Sequence, residues 1–114
     1  MNSKRINPFA PIYKLANSEN SMSKFRNLPD FPRYIDVELT NTCNFRCLMC
    51  PTGNFSQKRN KGFMSDDTFY KIIENVKDHK TPIRFIRWGE PTMHPKLVEY
   101  ITVASKEGIL THIN

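Results

Sequence analysis

No stretch of the chain approaches the roughly 18 uninterrupted apolar residues that a membrane-crossing helix needs, so no spanning segment is expected. The opening residues, Met1-Asn-Ser-Lys-Arg-Ile-Asn-Pro8, put no apolar run behind their charges, and no secretory signal is expected there. Cysteine is absent outside one window of eight residues, where the count is three. An odd and crowded set does not make the disulfide framework of a small secreted chain. Reduced thiols and no export signal point to a cytoplasmic protein. There is no repeat at solenoid period. A basic helix and the usual nucleic-acid motifs are also missing, although the formal net charge is +6. The basic residues lie in small groups, Lys4-Arg5 and Lys58-Arg59-Lys61, that read as solvated surface. At 114 residues the chain is at most one small domain, with neither a membrane nor a nucleic acid as the expected partner.

What is present is the spacing Cys43-x3-Cys47-x2-Cys50 directly after a strand-like run. Buried bystander cysteines are common, but three together with none elsewhere belong to a site. A structural zinc ion takes four protein ligands, and His79 and His94 lie far along the chain. Full protein ligation of a four-iron cluster also takes four cysteines. Three thiolates hold three corners of such a cluster and leave one iron open to an outside ligand, an arrangement suited to chemistry rather than electron storage.

The elements around this window alternate. Tyr34 to Thr40 places Ile35, Val37 and Leu39 on one side and Asp36, Glu38 and Thr40 on the other, a strand pattern. The cysteine loop covers 41–50 and a polar, basic stretch covers 51–62. Ser65 is a fitting N-cap, followed by Asp66 and Asp67 where the helix dipole favours acids. Met64 and Phe69 are spaced for a hydrophobic staple. Phe69, Ile72, Ile73 and Val76 form one helical stripe. Ile83 to Trp88 reads as a second strand, with Trp88 expected in the core. Gly89 to His94 is the loop after it. Pro95 suits the first position of a second helix, in which Leu97, Val98, Ile101 and Ala104 face the core and which Gly108 stops. Ile109 to Ile113 is a third strand. Residues 1–33, with Pro8, Pro11, Pro29 and Pro32, read as a leader that stays loose or drapes over the domain; residues 34–114 are the domain.

Strand–helix alternation implies an α/β fold with parallel strands and right-handed crossovers. Active loops in such sheets lie at the carboxyl ends of the strands. Both the cysteine loop and Gly89-Glu90-Pro91 fall at that end, side by side if their strands are neighbours. By parity Asp36, Glu38 and Arg84 share the face away from the helices, so either acid can pair with Arg84; a plain structural ion pair accounts for such a contact. His94 beside Pro95 reads as a helix-start residue rather than a proton carrier.

Cys43-Asn-Phe-Arg-Cys47-Leu-Met-Cys50-Pro resembles the signature of the radical S-adenosylmethionine (radical SAM) superfamily, and Trp88-Gly89-Glu90-Pro91 resembles that family's Gly-Gly-Glu-Pro motif. The likeness runs from about Pro32 to Asn114. Val-Glu-Leu-Thr-Asn-Thr-Cys-Asn with Gly-Glu-Pro-x-x-His-Pro is most similar to the branch that often carries a further cysteine-rich, SPASM-type domain. The resemblance implies a partial (β/α) barrel of which only the first βαβαβ portion is present. It implies that Cys43, Cys47 and Cys50 ligate a [4Fe-4S] cluster whose open iron binds the amino and carboxylate groups of SAM. Gly89 and Glu90 would contact the methionine end of SAM, and Met49 the adenine through its backbone. The reaction implied is reductive cleavage of SAM to a 5′-deoxyadenosyl radical that abstracts hydrogen from a substrate, a peptide or a small molecule. An electron donor such as flavodoxin or ferredoxin would be a partner. No further catalytic residue is assigned.

Two positions depart from the pattern: Met49 stands where the family often has an aromatic residue, and Trp88 replaces the first glycine of the pair. Relatives build six βα units, so the chain is expected to be an amino-terminal fragment that alone is not a competent enzyme. Two other classes fit part of the data: a cluster-binding or regulatory module without SAM chemistry, and a zinc-bound nucleic-acid-binding domain. Neither requires Gly89-Glu90 beside the cysteine loop.

Overall fold

The computed structural model describes residues 6–18 and 28–114. Helix α1 spans Ala10–Ser18, strand β1 Ile35–Val37, helix α2 Asp66–Val76, strand β2 Ile83–Phe85, a single 3₁₀ turn Pro91–Met93, helix α3 Leu97–Lys106 and strand β3 Thr111–Ile113. The strands form one parallel sheet in the order β1-β2-β3. Ile35, Asp36 and Val37 lie opposite Ile83, Arg84 and Phe85, which in turn face Thr111, His112 and Ile113. The α/β alternation thus has the parallel form that its sequence pattern predicts.

One face of the sheet carries the core. Val37, Ile83 and Phe85 are buried under α2 and α3, against Phe69, Ile73, Val76, Leu97, Tyr100 and Ala104. The Phe69 and Tyr100 rings stack with centroids 3.8 Å apart. Helix α2 begins where expected, because the Ser65 hydroxyl accepts the Thr68 N–H and Asp66 and Asp67 occupy the first turn. Helix α3 ends in a Schellman closure: Gly108, at φ 70°, donates to Ser105 O while Ile109 donates to Ala104 O.

Three expectations need correction. Val98 is 77% exposed rather than in the core, and Tyr100 is fully buried. The helix starts at Leu97, two residues after Pro95, so the buried stripe is Leu97, Tyr100, Ile101 and Ala104, and Val98 falls about 100° off it. Trp88 is 44% exposed instead of packed. Its strand ends at Phe85, and Arg87 at φ 131° turns the chain out of the extended conformation. The strands are also shorter than the alternating pattern. After Val37 the first strand leaves its neighbour: Leu39 O accepts from Met64 N, and Thr40 forms an antiparallel bridge with Phe63.

The opposite sheet face carries the row Asp36, Arg84, His112. Helix α1, which the sequence reading did not assign, lies against it. Phe9 is buried and its ring is 5.4 Å from that of His112. The Tyr13 hydroxyl and His112 Nδ1 share a hydrogen bond of 3.2 Å, and Arg84 lies over the Tyr13 and Tyr34 rings. The remainder of the 1–33 segment is partly outside the described residues. No helix among the described residues is long and apolar enough to cross a membrane.

Candidate functional site

The cysteine loop leaves the carboxyl end of β1 and is folded by its own backbone. Cys50 N donates to Cys47 O at 3.1 Å and Asn54 N to Cys50 O at 2.9 Å, closing the turn that carries the second and third thiols. Gly53 packs so closely that a Cβ there would lie 2.4 Å from Cys47 O, which only glycine tolerates. Cys43, Cys47 and Cys50 are free thiols, Cys47 exposed and the other two half-buried. Among the described residues no three His, Cys, Asp or Glu side chains converge on a single ion position. The Gly53 N–H, with help from Thr52, draws the Cys50 thiol below its ordinary value, favouring the thiolate that metal ligation requires. Met49 is 87% exposed at the rim of the loop.

The loop is fastened to a strap, residues 57–62, by groups that the sequence reading did not single out. Buried Asn41 is the centre: its Oδ1 accepts Gly62 N–H at 2.8 Å and its Nδ2 donates to Asn60 O at 2.8 Å. Its backbone carbonyl accepts from Gln57 Nε2 at 3.1 Å. Thr40 Oγ1 donates to Gly62 O at 2.7 Å. The available signals were faint: a turn-forming Asn two residues before the first cysteine, and a glycine three residues after the last.

Gly89 and Glu90 come to the same place from the end of β2. A Cβ on Gly89 would sit 1.7 Å from Thr40 O, so its backbone rests directly on the stem of the cysteine loop. Glu90 N donates to Thr42 O at 2.8 Å, one residue before Cys43. The Glu90 carboxylate accepts from Thr92 N (3.0 Å) and Thr92 Oγ1 (2.6 Å), both at Oε1, and so caps the 3₁₀ turn. Buried His94 follows; its Nε2 meets Met64 O at 3.1 Å and its Nδ1 accepts Lys96 N–H at 3.2 Å, which assigns the Nε2–H tautomer and a structural role.

The acid of β1, Asp36, and the acid just after it, Glu38, divide their partners. Asp36 takes both Arg84 (Nε to Oδ1, 3.1 Å, close but poorly aligned for a hydrogen bond) and Arg87 (Nη2 to Oδ2, 3.3 Å). Glu38 is gripped by Arg59 at 2.6 and 3.0 Å, so this member of the basic strap is paired rather than simply solvated. Glu38 also accepts the Trp88 N–H at 3.2 Å. Arg59 first, then the Trp88 N–H and Arg87, hold the Glu38 carboxyl below its usual range against the opposing effect of burial. Arg87 at φ 131° is in a region that costs a non-glycine residue on the order of 1–3 kcal/mol. A cleft of about 210 Å³ opens between the β1 stem and the strap, beside Glu38, Asn41 and Arg59, and touches neither the cysteines nor Gly89.

The sequence model of the Radical SAM superfamily matches residues 37–114, which include the three cysteines, Gly89 and Glu90. The chain belongs to the radical SAM superfamily. Its similar proteins include a "Tungsten-containing aldehyde ferredoxin oxidoreductase cofactor-modifying protein" of Pyrococcus furiosus, 33% identical over 86 residues, which are 72% of this chain and 23% of that protein. A GTP 3',8-cyclase of Actinobacillus pleuropneumoniae serotype 3 is 31% identical over 78 residues, 67% of this chain and 23% of the cyclase. The chain therefore spans about a quarter of the length of these curated relatives. The fold is shared with BtrN, whose crystal structure is of a complex with AdoMet and 2-DOIA: the TM-score is 0.66 at 21% identity, over 75% of this chain and 36% of BtrN.

Radical SAM proteins use a [4Fe-4S] cluster and SAM, and the residues present fit that pair. The donor set is three thiols on one loop, with a backbone N–H directed at one of them. Gly89, with no side chain, lets its backbone rest directly against the stem of that loop.

Proposed function

We propose that this chain is the cluster- and SAM-binding portion of a radical SAM enzyme. The observation that carries the reading is the Glu90 N–Thr42 O bond, which fastens the Gly89-Glu90 loop to the residue before Cys43 at the ends of adjacent parallel strands. Cys43, Cys47 and Cys50 would hold three corners of the cluster. When bound, the cluster and SAM supply reductive carbon–sulfur cleavage and a 5′-deoxyadenosyl radical that abstracts hydrogen from substrate. The protein orients. Gly89 would offer its carbonyl, and Glu90, with both its carboxylate hydrogen bonds on Oε1, would offer Oε2 to the ammonium of SAM. Exposed Met49 offers its backbone to the adenine.

For the substrate we favour a peptide, supported by the likeness of Val37–Asn44 to the SPASM branch. A nucleotide or other small molecule is the competing class, since one relative bears the name of a GTP cyclase. A flavodoxin or ferredoxin in the cytoplasm fits as electron source.

The test is electron paramagnetic resonance on anaerobically reconstituted, reduced protein with and without SAM. A [4Fe-4S] signal that shifts on SAM addition is expected. A cluster signal indifferent to SAM would favour a cluster-only module, and tight zinc without a cluster would overturn the reading.

A further inference from the structure

The loop that presents Gly89 starts from a backbone conformation it would not hold unaided. Arg87 sits at φ 131°, where side-chain-bearing residues are rare, and Trp88 next to it is half-exposed and packs on little. Such a conformation persists only where the surroundings over-determine it. Here two restraints come from β1 and the residue that follows it. Asp36 Oδ2 holds the Arg87 guanidinium at 3.3 Å. Glu38 Oε1 accepts the Trp88 N–H at 3.2 Å, and the same carboxylate is oriented by the two-pronged Arg59 contact. Asp36 and Glu38 are two residues apart on an extended segment, so both project to the same face, beneath the turn they restrain. With Arg87–Trp88 held, Gly89 rests on Thr40 and Glu90 N reaches Thr42 O.

We propose that Glu38, with Asp36 beside it and Arg59 orienting it, is a positioning residue for the Gly89-Glu90 loop: a strut that keeps a strained turn pressed on the stem of the cysteine loop. Its role is to accept one backbone N–H. The proposal deepens the reading above and rests on it for the consequence that loss of the strut weakens SAM binding. The geometry of the strut itself stands without that reading.

The strut has a specific signature. Glu38→Ala removes the acceptor, whereas Glu38→Gln keeps one. The measurements are amide hydrogen–deuterium exchange across residues 86–92 of the cluster-free protein, and SAM titration of the reconstituted protein followed by the resonance shift. Glu38→Ala is expected to speed exchange at Trp88 to Glu90 at least tenfold and to weaken SAM affinity about tenfold while iron content is retained. Glu38→Gln should restore most of both. Should Glu38→Ala not fold, Asp36→Asn releases the Arg87 end of the strut and must speed the same amides. Unchanged exchange in Glu38→Ala, or in Asp36→Asn where that variant is used, sinks the proposal. So does Glu38→Gln as damaging as Glu38→Ala, because the charge rather than the acceptor would then matter. If the unsubstituted protein binds no SAM, the proposed function fails while the exchange data still judge the strut.

Discussion

At Gly89 there is no room for even one methyl group. A Cβ would be placed 1.7 Å from Thr40 O, and the obstacle is backbone, which cannot swing aside as a side chain can. Gly89→Ala is therefore expected to push the loop off the β1 stem, break the Glu90 N–Thr42 O bond and abolish the SAM-dependent resonance shift. The cluster itself should remain, since none of its ligands touches the new methyl. A shift that survives this substitution would show that the loop is not where SAM binds. Gly53 obeys the same steric logic against Cys47. Trp88, the residue in place of a first glycine, causes no such conflict because its side chain is directed partly into solvent.

Between elements, the packing of α2 against α3 rests on an apolar and a polar contact that can each be tested. Phe69 is completely buried and stacked on Tyr100. Phe69→Ala should cost about 3–5 kcal/mol, read from the denaturation midpoint, through lost burial and the cavity left behind. The second contact is polar. Asp66 accepts from Lys96 Nζ and, at 2.8 Å, from the Tyr100 hydroxyl. Lys96 first and Tyr100 second hold the Asp66 carboxyl below its usual value of 3.8. A carboxyl depressed in the folded state adds stability above its unfolded pKa, and loses it as pH falls through the folded value. The melting temperature of Asp66→Asn should thus lie below that of the unsubstituted protein near pH 6. The gap should persist to about pH 4 and close only at lower pH. A constant gap across that range would mean that shape rather than charge links the helices. Burial also pushes the Tyr100 hydroxyl far up, so it remains a donor throughout.

For the molecule as a whole, the sheet order leaves β1 and β3 as edges, and Ile113 on β3 is 39% exposed. An apolar parallel edge is a template for pairing with another chain. The 114-residue polypeptide is expected to self-associate as its concentration rises, followed by light scattering, and Ile113→Lys should reduce the effect. Scattering that Ile113→Lys leaves unchanged would place the association elsewhere. The three layers, α1 on one face and α2 with α3 on the other, also show how the row Asp36, Arg84, His112 is accommodated. Polar groups on an inner face are tolerated because Tyr13, Tyr34 and Arg87 meet them.

Local chemistry made much of this readable in advance. Cysteine spacing, the Ser65 cap, the Gly108 stop and the alternation around Val37 each depend on neighbours within a few positions, so the sequence alone determined the order of strands and helices from residue 34 onward, the parallel α/β fold and the two loops of the site. Parity placed Asp36, Glu38 and Arg84 on one face, and the strand register decided that Asp36 is the acid that meets Arg84. Contacts between distant segments were not legible. The Asn41 clasp on residues 57–62, the Arg59–Glu38 pair, the docking of α1 through Phe9 and the exposure of Trp88 and Val98 were decided only by the tertiary structure. A side chain's partner across 20 or more residues depends on where the intervening chain returns, and no periodicity encodes that path. The strained turn at Arg87 is the clearest case: an arginine signals no positive φ, and Asp36 on the neighbouring strand and Glu38 just beyond it explain how the turn is held.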